Sequence, residues 1–445
     1  MQLVAYGAQD VYLTGNPKVT FFQAVYKRHT NFAMELIQQT TNGSPSSSGR
    51  VSVTIARNGD LVGNMYVSLL PSATALTTDN SSADTCWIAE RAIAALELTI
   101  GGQRIDKHYQ TWWRLYAEVF LNESDKYAWG KMTTQANPLA NASTTVALSP
   151  SKVYLPLLFF FNRNPGLYLP LIALQYHEVR LDFDLTSNFS AYFGSSSQVF
   201  EVWANYVYLD TEERRRFAQK GHEYLIEQVQ HTGGDSVTSG AQTIRLSFNH
   251  PVKELIWCYQ NTTSTANNSM WNFSTSAANV NVTVGMNAFT LSNTSISIAG
   301  PAVYLPHEVG CPRIYSNVAQ ATNVLWIEEG TSLGAVGGYE VGPLKDFKLV
   351  LNGQDRFKEQ LGKYFNQYQP YVYHSGTPYP GIYVYSFALQ PEEHQPTGTC
   401  NFSRIDNAQV SINMKALTTP LQKMFAVNYN ILRIQSGMGG LAFSN

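Results

Sequence analysis

Four stretches of this sequence recur in its second half, in the same order. ELIQQT (35–40) has a counterpart in YLIEQVQ (224–230). RVSVTIARNGDLVGNMYVSL (50–69) shares a strand–turn–strand pattern with TIRLSFNHPVKELIWCYQ (243–260). LELTIGGQRIDKHY (96–109) matches FKLVLNGQDRFKEQ (347–360), each an apolar run leading into Gly-Gln and then Arg. WANYVYLD (203–210) matches AVNYNILR (426–433). A single pair of this kind arises by chance; four in order indicate a duplicated unit. The polar stretch TEERRRFAQKGH falls at the join.

Within each half, apolar and polar residues alternate with a period of two, the mark of strands with one buried face. HEVRLDFDL (177–185), QVFEVWANYVYL (198–209), GIYVYSFAL (381–389) and AQVSINM (408–414) are clear cases. A single sheet of roughly eight strands leaves one face wet and two edges open, whereas two sheets packed face to face bury the inner faces. The expected fold is therefore all-β: two tandem eight-stranded jelly-roll sandwiches with few short helices. The expected divisions are an arm over residues 1–30, a first jelly roll over 31–211, a linker over 212–222 and a second jelly roll over 223–445. Asn58-Gly59 between two alternating runs predicts a hairpin turn. TWWRLYAEVF (111–120) predicts one amphipathic core helix with Thr111 as N-cap.

The halves differ between ELIWCYQ and KDFKLVL, where about 85 residues (261–345) replace a much shorter connection at 71–90. This insert is rich in Asn, Ser and Thr, and alternation at 279–284 and 294–298 predicts small strands inside a projecting surface loop. Asn-x-Ser/Thr triplets cluster there, making Asn261, Asn267, Asn272, Asn281 and Asn293, with Asn401 downstream, the candidate glycan acceptors. The leader is different again: GNPKVTFFQAVYKRHTNF has aromatics and a small cationic cluster without clean periodicity.

Composition narrows the function. Charged residues make up 14% and the formal net charge is −2, so the broad basic field of a nucleic-acid-wrapping protein is missing and no specific nucleic acid is expected. Arg214, Arg215 and Arg216 follow Glu212 and Glu213, as in a solvated linker. Cys86, Cys258, Cys311 and Cys400 lack metal-site spacing and suit reduced, buried thiols. No secretory h-region opens the sequence, and the strongly apolar run Val153–Phe161 is too short for a membrane helix, so synthesis and folding in the cytoplasm are expected. The pairs His177-Glu178, His222-Glu223 and His307-Glu308 lack the second His of a helical zinc site. Asp182 and Asp184 share a strand face, the one arrangement a glycosidase or a metal could use. Neither a phosphate-binding loop nor a nucleophile elbow is present. The residues thus point to no enzyme, no cofactor and no resident metal. The two YLPL segments (154–157 and 168–171) either complete the first core or form a subunit interface, with Pro156 and Pro170 at edges or bulges.

The leader AYGAQDVYLTGNPKVTFFQAVYKRHTNF, IGGQRIDKHY, FFFNRNPGLYLPLIALQYHEV, LNGQDRF, GTCNFSRIDNA and NYNILRIQSGMGGLA together resemble the major capsid proteins of large nucleocytoplasmic DNA viruses, those of algal phycodnaviruses in particular. The likeness runs from end to end and weakens at 71–90 and 261–345. It implies a double jelly roll, a homotrimer whose six sandwiches make a pseudo-hexagonal capsomer, and tiling with neighbouring capsomers into an icosahedral shell. Minor capsid proteins beneath that shell, assembly in the host cytoplasm and glycans on outward loops of the second sandwich are further implications. Some relatives glycosylate Asn outside the usual triplet. The arm is then expected along the inward base, with Phe21, Phe22, Tyr26, Lys27 and Arg28 as inter-subunit contacts. The rival reading is a minor capsid or attachment, carbohydrate-binding paralogue of the same fold.

Overall fold

The computed structural model describes residues 7–71, 87–133, 152–194, 199–261, 273, 342–378, 381–415 and 420–443. It also describes the backbone of three strands at 279–285, 293–299 and 324–329. Sixteen strands form the frame. The first eight are β1 (Phe32–Gln39), β2 (Arg50–Thr54), β3 (Leu61–Leu69), β4 (Ile93–Ile100), β5 (Gln103–Tyr109), β6 (Val153–Pro156), β7 (Val179–Leu185) and β8 (Phe200–Leu209). The second eight are β9 (His222–His231), β10 (Gly240–Leu246), β11 (Pro251–Asn261), β12 (Leu344–Leu351), β13 (Gln354–Asp355), β14 (Ile382–Ser386), β15 (Ala408–Met414) and β16 (Pro420–Gln435).

Sheet 1 has the order β1-β8-β3-β6 and sheet 2 the order β2-β7-β4-β5. Sheet 3 runs β9-β16-β11-β14 and sheet 4 runs β10-β15-β12-β13. Adding eight to each strand of the first pair reproduces the second pair. Each recurring segment of the sequence therefore lies on an equivalent strand, and each half is a jelly roll of two antiparallel sheets.

The expected hairpin at Asn58-Gly59 does not form. β2 pairs with β7 in sheet 2, while β3 pairs with β8 and β6 in sheet 1. The turn is a corner where the chain changes sheets, and neither residue takes the positive φ of a tight hairpin turn. Gly59 is needed for another reason: a Cβ there would stand 2.8 Å from Tyr206 Cβ.

The α-helices are short: α1 (Val11–Thr14), α2 (Gln110–Phe120), α3 (Glu123–Thr133), α4 (Phe160–Arg163), α5 (Phe189–Phe193), α6 (Thr211–Gln219) and α7 (Gln369–Tyr373). The helix expected at 111–120 is α2, but Tyr109 precedes its first turn and Thr111 lies inside it. The Thr111 hydroxyl instead accepts from Lys423 Nζ at 3.1 Å. The join between the halves is helical rather than extended: α6 buries no residue and is pinned by Arg214, 3.0 Å from Asp60. Asp60 also accepts from the Leu209 amide at 2.9 Å.

Among the described residues two apolar cores result. The second lies between sheets 3 and 4 and takes Leu255, Trp257 and Tyr259 of β11 with Met424 and Ala426 of β16. The first fills the space between sheets 1 and 2 and continues outward to meet Ile256, Cys258, Ile382, Val384, Phe425 and Val427 of sheet 3. Side chains alternate across a strand, so sheet 3 is buried on both faces. The Phe159–Phe161 run between the YLPL segments is fully buried in the first core. Pro156 ends β6, at the edge of sheet 1.

Trp112 of α2 spans the seam, 5.6 Å from the Phe425 ring and 2% exposed. Trp112→Ala is expected to cost about 3–5 kcal/mol, the usual penalty of a large buried cavity. Tyr12→Ala in the exposed leader should change stability by less than about 0.5 kcal/mol. Chemical denaturation of the two variants checks both values.

Candidate assembly surfaces

The leader stands away from the sandwiches. Tyr12 is 92% exposed, Phe21 93%, Phe22 99% and Tyr26 89%, and none of the described leader residues is buried in its own chain. Between Gly7 and Asn31, Lys18, Lys27 and Arg28 face the single carboxylate of Asp10. Bare aromatics in such number mark an interaction segment rather than ordinary surface. The five leader residues singled out by sequence therefore share one exposed, cationic strip.

The leader feeds directly into a second open surface. On the outer face of sheet 1, Phe32, Met34 and Leu36 of β1 are each 44% exposed or more. Tyr154 of β6 is exposed and meets Tyr66 of β3 edge-on, with centroids 5.6 Å apart. Trp203 of β8 pairs with Tyr66 in the ladder. Lys152 and Glu201 close one corner as an ion pair at 2.7 Å.

The corresponding face of sheet 3 is closed by the first half of the same chain. Gln228 Nε2 donates to the Ile105 carbonyl, and the Val229 amide donates to Asp106 Oδ1 at 3.1 Å. The Gly376 amide donates to the Val119 carbonyl at 3.1 Å, and Lys126 Nζ donates to the Thr377 carbonyl at 2.6 Å. Behind α2, buried Arg114 lies 3.3 Å from Glu90 and 3.0 Å from Glu118, with its guanidinium over the Trp87 ring. Burial pushes the Glu90 carboxyl up to about 7, against the pull of Arg114.

Two charged groups at the seam set its response to pH. Glu227 meets Arg163 of the first half at 3.1 Å and Lys253 at 2.7 Å. Burial works to raise its pKa, but the two cations outweigh burial and hold it below the carboxylate range. The His374 ring is inaccessible, 3.2 Å from Glu254 and 3.4 Å from Glu392, and edge-on to Phe120 of α2. Burial pulls its pKa down, yet the two carboxylates prevail and raise it to about 9.

Sequence candidates for chemistry fall apart on this geometry. Asp182 accepts from Ser52 Oγ at 2.5 Å and from Arg180 Nε at 2.8 Å, and Asp184 pairs with Arg50 at 3.2 Å. Asp184 is neutralised across the ladder and Asp182 by Arg180 of its own strand, so neither is poised as acid or base. His177 is bound to the Gly439 carbonyl, His222 to the Phe217 carbonyl, and Glu223 to Arg433. His307 lies outside the described residues. Among the described residues no cluster of His, Cys, Asp and Glu could hold a metal, and no helix is long and apolar enough to cross a membrane. Of the cysteines, Cys258 and Cys400 are free; Cys258 is buried, with its thiol pushed up to about 12 by burial, but Cys400 is only half-buried. Cys86 and Cys311 lie outside the described residues.

The glycan candidates divide. Asn261 ends β11, Asn281 lies on the 279–285 strand and Asn293 opens the 293–299 strand. The strands 279–285, 293–299 and 324–329 form a small antiparallel sheet, so the insert does carry strands, one more than sequence suggested. Asn267 and Asn272 lie outside the described residues. Asn401 is exposed but pairs with Pro251, the first residue of β11, whereas the insert leaves from the last. Eleven residues of strand separate the two sites by about 33 Å. In the first sandwich β1, which the leader feeds, starts against Leu209, at the end of β8 remote from the 71–90 connection.

These charges fix a pH response. His374 has a folded pKa above its unfolded value of about 6.5, so its contribution is full below that and lost as pH rises through about 9. Glu227, with a lowered pKa, contributes above its unfolded value and loses that contribution in acid. The melting temperature should fall between pH 7 and 9.5. His374→Gln leaves Glu254 buried without its cation, costs about 3–5 kcal/mol and should lose the part of the fall between pH 7 and 9.5 that His374 causes. Calorimetry across that range tests this, and parallel curves for the two proteins would refute it.

Comparison with known proteins agrees with this architecture. Residues 20–210 match a family described as the major capsid protein N-terminus, and residues 213–440 match one described as the large eukaryotic DNA virus major capsid protein. The major capsid protein of Paramecium bursaria Chlorella virus 1 is 42% identical, covering 100% of this chain and 99% of that protein. That of Phaeocystis pouchetii virus is 39% identical with the same coverage. The quasi-atomic model of the Paramecium bursaria Chlorella virus 1 capsid superposes with a TM-score of 0.74 at 38% identity, over 96% of this chain and 100% of that one. The Faustovirus major capsid protein, at 13% identity and a TM-score of 0.67 over 97% and 94%, shares the fold. The chain belongs to the large eukaryotic DNA virus major capsid protein family: it is a structural, non-enzymatic protein that self-assembles into the capsid shell of the virion.

Proposed function

We propose that the unit of this shell is a homotrimer, in which three copies of a two-sandwich chain set six similar sandwiches in a ring. The observation that carries this reading is the repeated strand order of the two halves combined with an uneven burial. The outer face of sheet 3 is covered by the first sandwich, while the outer face of sheet 1 is open. A repeat covered at one junction and bare at the next is a heterologous, head-to-tail unit, and such units form a ring when the rotation from copy to copy closes. Three-fold closure yields a six-cornered tile that packs with neighbouring tiles without gaps and needs one gene product.

The ends of the molecule then take different duties. The insert, with Asn261, Asn281 and Asn293, faces outward, and glycans attach there. Asn401 sits at the opposite end of β11 and is withdrawn from the outward set. The leader runs along the inward base, where Phe21, Phe22, Tyr26, Lys27 and Arg28 contact neighbouring subunits or minor capsid proteins beneath the shell.

Native mass measurement of the purified chain should give a trimer, and a stable monomer would refute the reading. Deleting residues 2–24 should leave folded trimers that assemble poorly into shells; a chain that no longer folds would make the leader part of the core. Glycopeptide mass spectrometry of virion protein should find glycan in 261–345 and none on Asn401.

A further inference from the structure

Within one chain, the junction between sandwiches has a definite construction. The segment between β5 and β6 folds as α2 and lies on the outer face of sheet 3. There Trp112 meets Phe425 of the central strand β16, and Thr111 meets Lys423. The segment in the corresponding place of the second sandwich lies between β13 and β14. It forms a π-helical turn, Tyr364–Tyr368, that runs into α7. Its inner residues Phe365, Asn366, Gln369 and Pro370 are buried in its own sandwich. Its other side is bare: Leu361 is 65% exposed, Tyr368 55%, Tyr371 85% and Val372 45%. A cleft of about 820 Å³ opens beside these residues. π-Helical turns are rare and gather at functional positions.

Sheet 1 is the counterpart of sheet 3, and its outer face has the complementary property. Its central strand β8 carries Trp203 on this face, as β16 carries Phe425 on the face turned to α2. Tyr66 and Tyr154 extend the apolar surface toward β6, and Leu36 extends it toward β1. Two apolar surfaces of one chain are thus open at the two positions that, in the intrachain junction, cover each other.

We infer that the π-turn and α7 of one copy dock on the outer face of sheet 1 of a second copy, with Tyr368, Tyr371 and Val372 against Tyr66, Tyr154 and Trp203. This deepens the trimer reading and rests on it. The contact repeats between chains what α2 does within one chain. The occupant of each surface is therefore a second copy of this chain. The interface is heterologous: each chain supplies a different surface at each of its two free sides.

The test uses full-length chains in solution and two double variants at exposed positions. One carries Leu36→Asp with Tyr154→Asp, and the other Tyr371→Asp with Val372→Asp. Sedimentation gives the mass, and circular dichroism with cooperative unfolding confirms that each variant is folded. Each variant alone should be monomeric, with association weakened at least about 100-fold, the scale of lost aromatic anchors. Mixed in equal amounts they should form a one-to-one heterodimer and nothing larger, because one intact junction remains. A variant that stays trimeric, or one that dimerises by itself, overturns the docking and gives these faces to another protein or to a symmetric contact. A wild-type monomer would overturn the trimer reading, and the docking with it.

Discussion

Burial of both faces of sheet 3 is the constraint on which the rest of the molecule depends. β11 and β16 send alternate side chains into two different cores, so neither strand has a solvated side to tolerate error. Each large apolar side chain so placed contributes about 1.5–3 kcal/mol. Linked domains usually share small, polar contacts and move against each other. Here the contact is a continuation of a core. It is also tied by directional bonds such as Val229 to Asp106 and Gly376 to Val119, which fix register as well as attraction. The chain is therefore a single rigid building block with two similar parts, which suits a tile better than a hinge.

Much of this was legible in the sequence, and the gaps have physical causes. Period-two patterning locates strands because it reports one buried face, and it found β2, β7, β8 and β15 directly. It says nothing about which strand is the neighbour. Asn58-Gly59 therefore suggested a hairpin where the chain crosses to the facing sheet. Order among the recurring segments identified equivalent strands without fixing which way each residue faces. Ala204 belongs to the interior of its own sandwich, whereas Val427, its counterpart in the matched strings, belongs to the seam. A run such as LIWCY (255–259) is apolar at successive positions. That continuous pattern signals a strand covered on both sides and was the available clue to the seam. The helical join at α6 was hidden by its polarity: a solvated helix with no buried residue leaves no apolar period to read.

Candidate surface residues were legible to different degrees. The leader's aromatics stood out because nothing around them provided a pattern that could bury them, and they are exposed. The open face of sheet 1 was invisible, because Met34, Leu36 and Trp203 look like core residues until the topology shows which side of the sheet they occupy. Asn401 was grouped with the insert on a triplet motif alone. Strand pairing separates it from the insert by the length of the sandwich, since sequence motifs carry no information about which end of a barrel a loop occupies.

The uncovered leader has a consequence for the chain before it finds its partners. Residues 19–26 include Val19, Phe21, Phe22, Val25 and Tyr26, all in water, on a polypeptide that a virus must make in bulk. Such a segment is prone to indiscriminate sticking, and flanking charge is the usual restraint on it. Lys18 on one side, with Lys27 and Arg28 on the other, brackets the run with like charges that repel their copies on other chains. Mutual repulsion among free chains keeps them dispersed, and it weakens once salt or an acidic partner neutralises those cations. Ionic conditions thereby become a natural timer for when newly made chains begin to coalesce.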